Sequence, residues 1–300
     1  MPSTVVSSRL PIDLALTFAP LRRGTGDPTM RADASGTWWR ATRTPLGAAT
    51  TSFTPLDSAR VRVEAWGPGA EWALDAAPDI VGANDSLDGF SPRGKLGEIH
   101  RRLAGLRVPR TRAVFEAAFA SVLEQMVSGK EAHASHRQIT RAWSEAAPGP
   151  ADPPLVLPPA PTALARRASF ELRPFGVEMK RAGALRAIAV RAERLEETLS
   201  MSAADARRRL EAVPGIGPWT AAEVAFVALG DADAVSLGDD GLPHTVTYAF
   251  TGEPRGNDAK MLELLAPFAG HRGRVVRLLY AAGISAPRFG ARHRIRPRYA

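Results

Sequence analysis

Two hydrophobic periods divide the chain. In the first ninety residues, Val61, Val63 and Ala65 alternate with Arg62, Glu64 and Trp66, and this period of two predicts a strand with one buried face. Residues 38–44, entered from Ser35-Gly36 and closed by Pro45 and Gly47, predict another. The run from Trp66 to Trp72 contains Gly67-Pro68-Gly69 and predicts a turn; its two tryptophans fit either a ligand platform or the closure of a small core. From about Lys95 the period lengthens. Phe115, Ala118, Phe119, Val122, Leu123 and Met126 share one helical stripe, which Gly129 is expected to break, and a second helix is expected over residues 131–144. Helical spacing resumes through Met179, Ala182, Leu185, Ile188 and Ala189, then through Ala206, Leu210 and Val213, the latter opened by a Ser202/Asp205 capping box. Between them, seven prolines at 148, 150, 153, 154, 158, 159 and 161 predict a stiff extended connector, expected to join two helical lobes. No internal repeat is visible.

Composition narrows the chemistry. With 300 residues, 45% of them apolar, the chain can bury a core and divides into about two domains. It has no cysteine, which excludes disulfides, thiolate zinc sites, a cysteine nucleophile and a cysteine-ligated iron-sulfur cluster. The absence of a long apolar run or a basic-then-apolar leader gives the expectation of a cytoplasmic protein without a membrane partner. Residues 271–300 hold eight arginines and no Asp or Glu, equal to the whole formal charge of +8. Such a segment suits a polyanion such as nucleic acid, or is a solvated tail.

The most informative stretch runs from Leu210 to Ala221, with Val213-Pro214-Gly215-Ile216-Gly217-Pro218-Trp219-Thr220 at its centre. A helix stops at Pro214, a turn with two glycines reverses the chain, and Ala222, Ala225, Phe226 and Leu229 mark the next helix. Gly215 and Gly217 permit positive φ and close approach. Unpaired N–H groups at the following helix start suit a phosphate. The alternative is an ordinary helical hairpin.

This run, with Val235-Ser236-Leu237-Gly238-Asp239-Asp240 about twenty residues later, resembles the helix-hairpin-helix and aspartate module of the base-excision DNA glycosylases. Within that superfamily the chain is most similar to DNA-3-methyladenine glycosylase II; Gln125-Met126-Val127-Ser128 and Met179-Lys180-Arg181-Ala182 resemble family segments in the same order. The resemblance implies an α+β protein: a small antiparallel-sheet N-terminal domain over residues 1–93, a two-lobed all-α glycosylase core over 94–286 with its hairpin at 204–230, and a basic tail over 287–300.

It also implies roles. A carboxylate beside the anomeric carbon stabilises oxocarbenium character and orients water. Trp219 plus twenty reaches Asp239, the first choice for that carboxylate; Asp240 is the second, and one of the two is expected to cap a helix. Bifunctional relatives carry a lysine where this chain has Trp219, so a monofunctional enzyme without lyase activity is implied. Trp219 and Tyr280 would wall a pocket for a cationic alkylated base, although Tyr280 equally fits a core. Glu223 replaces a family aromatic and is a carboxylate that would attract such a base. Met126, with Gln125, would be the wedge that fills the gap left by a flipped base, or else a core residue. Gly215, Gly217 and Thr220 would grip a phosphate, with a monovalent cation at the hairpin as in relatives. Of six histidines only His133 and His136 are closely spaced, and no catalytic metal is expected. The implied activity is hydrolysis of alkylated bases from duplex DNA by a monomer. The rival readings are a noncatalytic helix-hairpin-helix DNA-binding protein and a glycosylase for oxidised or deaminated bases.

Overall fold

The computed structural model describes residues 2–287. The chain opens with β1 (Ser3–Ser7), α1 (Leu14–Phe18), β2 (Met30–Ala32), β3 (Trp38–Thr44), β4 (Gly47–Pro55) and β5 (Arg60–Trp66), followed by α2 (Ala70–Asp75) and α3 (Ala77–Ile80). The strands form one antiparallel sheet in the order β1-β5-β4-β3-β2. The alternation read in the sequence sorts its faces. Val6, Trp38, Phe53, Val61 and Val63 point one way into a core with Phe18, Ile80 and Val81, and the Phe18 ring meets Trp38 and Phe53 edge-on at 5.6 and 5.2 Å. On the other face Trp39 stacks on Trp66, ring centroids 5.4 Å apart.

The helical part comprises α4 (Gly94–Arg102), α5 (Val114–Glu124), α6 (Gly129–Trp143), α7 (Pro161–Ala165), α8 (Met179–Val190), α9 (Ala192–Glu196), α10 (Ala203–Glu211), α11 (Pro218–Val224), α12 (Leu242–Thr251), α13 (Asp258–Leu265) and α14 (Arg272–Ala281). Two cores organise it. Phe119, Leu123, Leu185, Ile188, Leu210 and Phe226 belong to a first lobe built from α5 to α11. Leu96 and Ile99 of α4 instead pack with Val246, Met261, Val275 and Leu279, so the second lobe combines two distant stretches of chain. Glu116 of α5 docks the first lobe on the sheet, accepting from Arg40 Nη2 and Thr42 Oγ1 at 2.7 Å and from the Arg43 amide at 2.8 Å.

Three expectations are corrected. Gly129 opens α6 rather than ending a helix, because Ser128 and Glu131 form a reciprocal capping box there. The proline-rich connector does not join two lobes: Leu155 and Leu157 pack with Ala41 beside Trp39, and Val156 N donates to Pro28 O at 2.9 Å. Extended, proline-rich chain thus covers the outer sheet face before returning to the lobe it left. Finally, the arginines of 271–300 are not one free positive field. Arg272 pairs with Asp233, Arg274 with Asp85 and Arg277 with Glu223, carboxylates remote in sequence; Arg288, Arg292, Arg294, Arg296 and Arg298 lie outside the described residues.

Arg274 and Asp85 are 1% and 6% exposed and make two parallel hydrogen bonds at 2.8 and 2.6 Å, while Asp85 also accepts from the Val108 amide. Removing one buried partner strands the other. Asp85→Ala is therefore expected to lower unfolding free energy by about 3–5 kcal/mol in denaturant titrations, and Asp85→Leu combined with Arg274→Met to recover most of it; an Asp85→Ala loss below 1 kcal/mol would refute the assignment. A second expectation concerns His136, whose Nδ1 is buried without a partner. Burial, against the opposing Asp27 carboxylate, pushes its imidazole down to about 4. A group held neutral in the folded state gives stability that is complete above the unfolded value near 6.5 and lost as pH falls toward about 4. Between pH 7 and 4.5 the wild type should lose roughly 2–3 kcal/mol more than His136→Phe; parallel pH profiles would contradict this.

Candidate active site

The hairpin begins where α10 ends. Val213 N donates to Leu210 O, and Ile216 N to Val213 O, both at 3.0 Å, closing two successive turns. Gly215 has φ +86°, and a Cβ there would come within 2.5 Å of the Ala184 Cβ; only glycine fits between the hairpin and α8. Around Gly217 a Cβ would meet nothing within 4 Å, so the approach to the start of α11 is open. Pro218 occupies the first position of α11, where no N–H is needed, and the helix continues as a π-helical turn over Ala225–Leu229.

Gln125 joins this hairpin to the end of α5. Its Nε2 donates to Gly215 O at 2.9 Å and to Thr220 Oγ1 at 2.8 Å. Thr220 is 2% exposed, so its hydroxyl locks the hairpin from inside and does not face a phosphate. The next residue, Met126, has φ +56° and is 97% exposed. A bulky side chain in left-handed backbone, standing free in solvent, is the opposite of a core residue. Arg181 was not singled out in the sequence beyond its segment, yet it fixes this corner: nearly buried, it donates to Leu123 O at 2.8 Å and Gly176 O at 2.9 Å.

Asp239 lies in the loop that precedes α12. One carboxylate oxygen accepts from Trp219 Nε1 at 2.9 Å. The other accepts from the Gly241 and Leu242 amides at 2.8 and 2.7 Å, so the aspartate satisfies the first amide of α12, although the N-cap residue of that helix is Gly241 and neither Asp239 nor Asp240 occupies that position. Asp240 is exposed. Asp258, which the sequence reading missed, accepts from the Gly238 amide at 2.9 Å and holds the loop from the other side.

Glu223, one turn beyond Trp219, is already engaged. It accepts from Ser236 Oγ at 2.5 Å and Arg277 Nη2 at 2.9 Å, and the Arg277 guanidinium lies 4.7 Å from the Phe226 ring centroid. Its charge is therefore shared with an arginine, not a free attractor for a cationic base. Tyr280 of α14 is half-exposed, not core. Burial of its hydroxyl, then the Asp239 carboxylate, push the phenol up to about 12 against the opposing Arg277. The charges of Asp239, Arg277 and Glu223 all act on the Tyr280 phenol. Ser236, Phe226 and Arg277 had no separate signal in the sequence, because each acquires its role only through the α11/α14 contact.

Among the described residues no group of three or more His, Asp or Glu side chains is placed to hold a metal ion. The hairpin carbonyls of Val213 and Gly215 each accept one hydrogen bond and keep a lone pair.

No family model matches the chain. It is 28% identical over 255 residues to a probable bifunctional transcriptional activator/DNA repair enzyme AlkA of Mycobacterium tuberculosis, covering 79% of this chain and 49% of that protein. It is 27% identical over 172 residues to a DNA-3-methyladenine glycosylase of Bacillus subtilis, covering 56% of each. The chain thus spans about half the length of these curated relatives. The solved 3-methyladenine DNA glycosylase of Archaeoglobus fulgidus superposes with a TM-score of 0.78 over 92% of this chain and 97% of that one, at 19% identity. Sheet, two helical lobes and hairpin together are the fold of the helix-hairpin-helix DNA glycosylases, and the chain's sequence relatives carry the names of that superfamily's alkylation-repair enzymes.

Proposed function

We propose that this chain is a monofunctional DNA glycosylase that hydrolyses the N-glycosidic bond of alkylated bases such as 3-methyladenine in duplex DNA, leaving an abasic site. The observation that carries the reading is the placement of Asp239, a carboxylate held between the Trp219 indole and the start of α12. The names of the sequence relatives support the substrate class.

Each part of the reaction then has a group. A base inside a duplex is unreachable, and extruding it opposes a few kcal/mol of stacking and pairing. Met126, free and apolar, would fill the vacated space. The open start of α11 at Gly217, with the amide-rich turn at Gly215, would hold a neighbouring phosphate; the carbonyls of Val213 and Gly215 would hold a monovalent cation that adds positive charge there. The Trp219 ring would face the cationic base, an attraction of about 0.5–2 kcal/mol. Asp239 would sit beside C1′, stabilise the positive charge that develops on the sugar, and orient water to the face left by the base. With tryptophan at 219 there is no amine there to form a Schiff base, so the sugar–phosphate chain stays intact. The protein would act as a monomer on cytoplasmic DNA, and no helix among the described residues is long and apolar enough to cross a membrane.

With an oligonucleotide containing 7-methylguanine, strand breaks are expected only after alkali, and borohydride should trap no protein–DNA adduct. Asp239→Asn keeps a side-chain acceptor for the Gly241 and Leu242 amides but turns a donor toward Trp219 Nε1, so it should stay folded with a melting temperature lowered by a few degrees while the single-turnover rate falls by roughly 10² or more. Activity surviving in Asp239→Asn but lost in Asp240→Asn would move the assignment by one residue, and loss in neither would remove it. Met126→Ala should slow excision more from a fully paired duplex than from one with the lesion mispaired, where less stacking opposes extrusion; equal slowing would contradict the wedge role.

A further inference from the structure

Arg112 stands outside the site described above, in backbone that an arginine rarely adopts. Its φ is +52°, in the left-handed region that is costly for any residue with a Cβ and persists only where surrounding contacts enforce it. Those contacts are specific. The guanidinium donates from Nε to Asp79 Oδ2 at 2.7 Å and from Nη1 to Asp75 Oδ2 at 2.9 Å, so it bridges a carboxylate of α3 and the last residue of α2. Asp79 is buried, and its carbonyl accepts from the Arg110 amide at 3.0 Å. The two helices that follow the sheet therefore hold residues 110–112 by side chain and by backbone.

The held segment closes the far end of the hairpin's second helix. α11 runs into the π-helical turn Ala225–Leu229, and carbonyls at a helix end have no amide one turn further on. Val227 and Ala228 are buried there, so their carbonyls need donors from elsewhere in the chain. Thr111 N donates to Val227 O at 2.9 Å and Arg112 N to Ala228 O at 3.1 Å. Because φ is the rotation between the Arg112 amide and its anchored side chain, the two carboxylates also set where that amide points. The near end of the same helix carries Trp219, whose indole donates to Asp239.

We propose that Arg112 is a positioning residue for base excision: clamped by Asp75 and Asp79, it fixes the end of α11 and, through that helix, the place where the Trp219 indole meets Asp239. The effect on rate rests on the glycosylase reading above, whereas the placement is measured on the free protein. Of the six tryptophans, the Trp219 indole N–H is identified by two-dimensional NMR of isotope-labelled protein through its loss in Trp219→Phe. In Arg112→Ala this resonance should move upfield, as its bond to the carboxylate lengthens, while the other indoles stay in place. Single-turnover release of 7-methylguanine should fall by about tenfold, with affinity for an abasic-analogue duplex unchanged, because the hairpin turn lies at the opposite end of α11. Arg112→Gly, which adopts left-handed backbone freely, should recover part of both losses. Asp75→Asn, at an exposed position, should shift the same resonance in the same direction by less, and it decides the matter if Arg112→Ala does not fold. Indoles that all move together with weakened DNA binding would show a general loosening and overturn the inference. A Trp219 resonance unmoved in these variants, or a rate unchanged although it moves, would overturn it as well. Wild-type protein that releases no alkylated base would instead remove the glycosylase reading, and the indole shift would still decide the placement.

Discussion

The carboxylate of Asp239 is gripped from two sides, and the rest of the site is arranged around that grip. The indole that donates to one oxygen belongs to α11 of the first lobe, and the amides that donate to the other begin α12 of the second. A single side chain thus sets the distance between the lobes at the point where a nucleotide would enter. These three donors fix the position of both carboxylate oxygens, which is what the proposed stabilisation of positive charge on the sugar requires.

Other ties transmit this placement outward. Gln125 fastens the hairpin to the corner carrying Met126, and Arg181 holds the Leu123 carbonyl near the end of α5. Arg274 and Asp85 fix α14, with Tyr280 and Arg277, to the stretch that leads into the helical part. The sheet contributes no side chain to the site. It is joined to α5 through Glu116, so it supports the lobe that presents the hairpin and Met126. Several of the chain's arginines are therefore structural, and its positive sum overstates the charge free to meet a polyanion.

Much of this was legible in the chain. Period-two alternation marked β5, helical spacing marked α5 and α8, and the Gly-Ile-Gly turn with an aspartate twenty residues on marked the cleft. What escaped were contacts made across long separations. Charge counting saw Arg272, Arg274 and Arg277 as a patch, because their partners lie between 39 and 189 residues away. The proline run read as an interlobe strut because nothing local says that it returns to the outer sheet face. Met126 fits the apolar stripe of α5, and only the backbone reversal at its own position turns it outward. Glu223 read as a free carboxylate until α14 brought Arg277 against it.

The most direct measurement is the affinity of duplexes whose abasic sugar is replaced either by a protonated pyrrolidine or by a neutral tetrahydrofuran. The cation mimics the charge that forms on the sugar; the neutral ring keeps every other contact. The account predicts that the wild-type protein binds the cationic duplex tighter by roughly 10² or more, and that Asp239→Asn erases this preference while binding the neutral duplex as before. Equal wild-type affinity for the two, or a preference undiminished in Asp239→Asn, would contradict it.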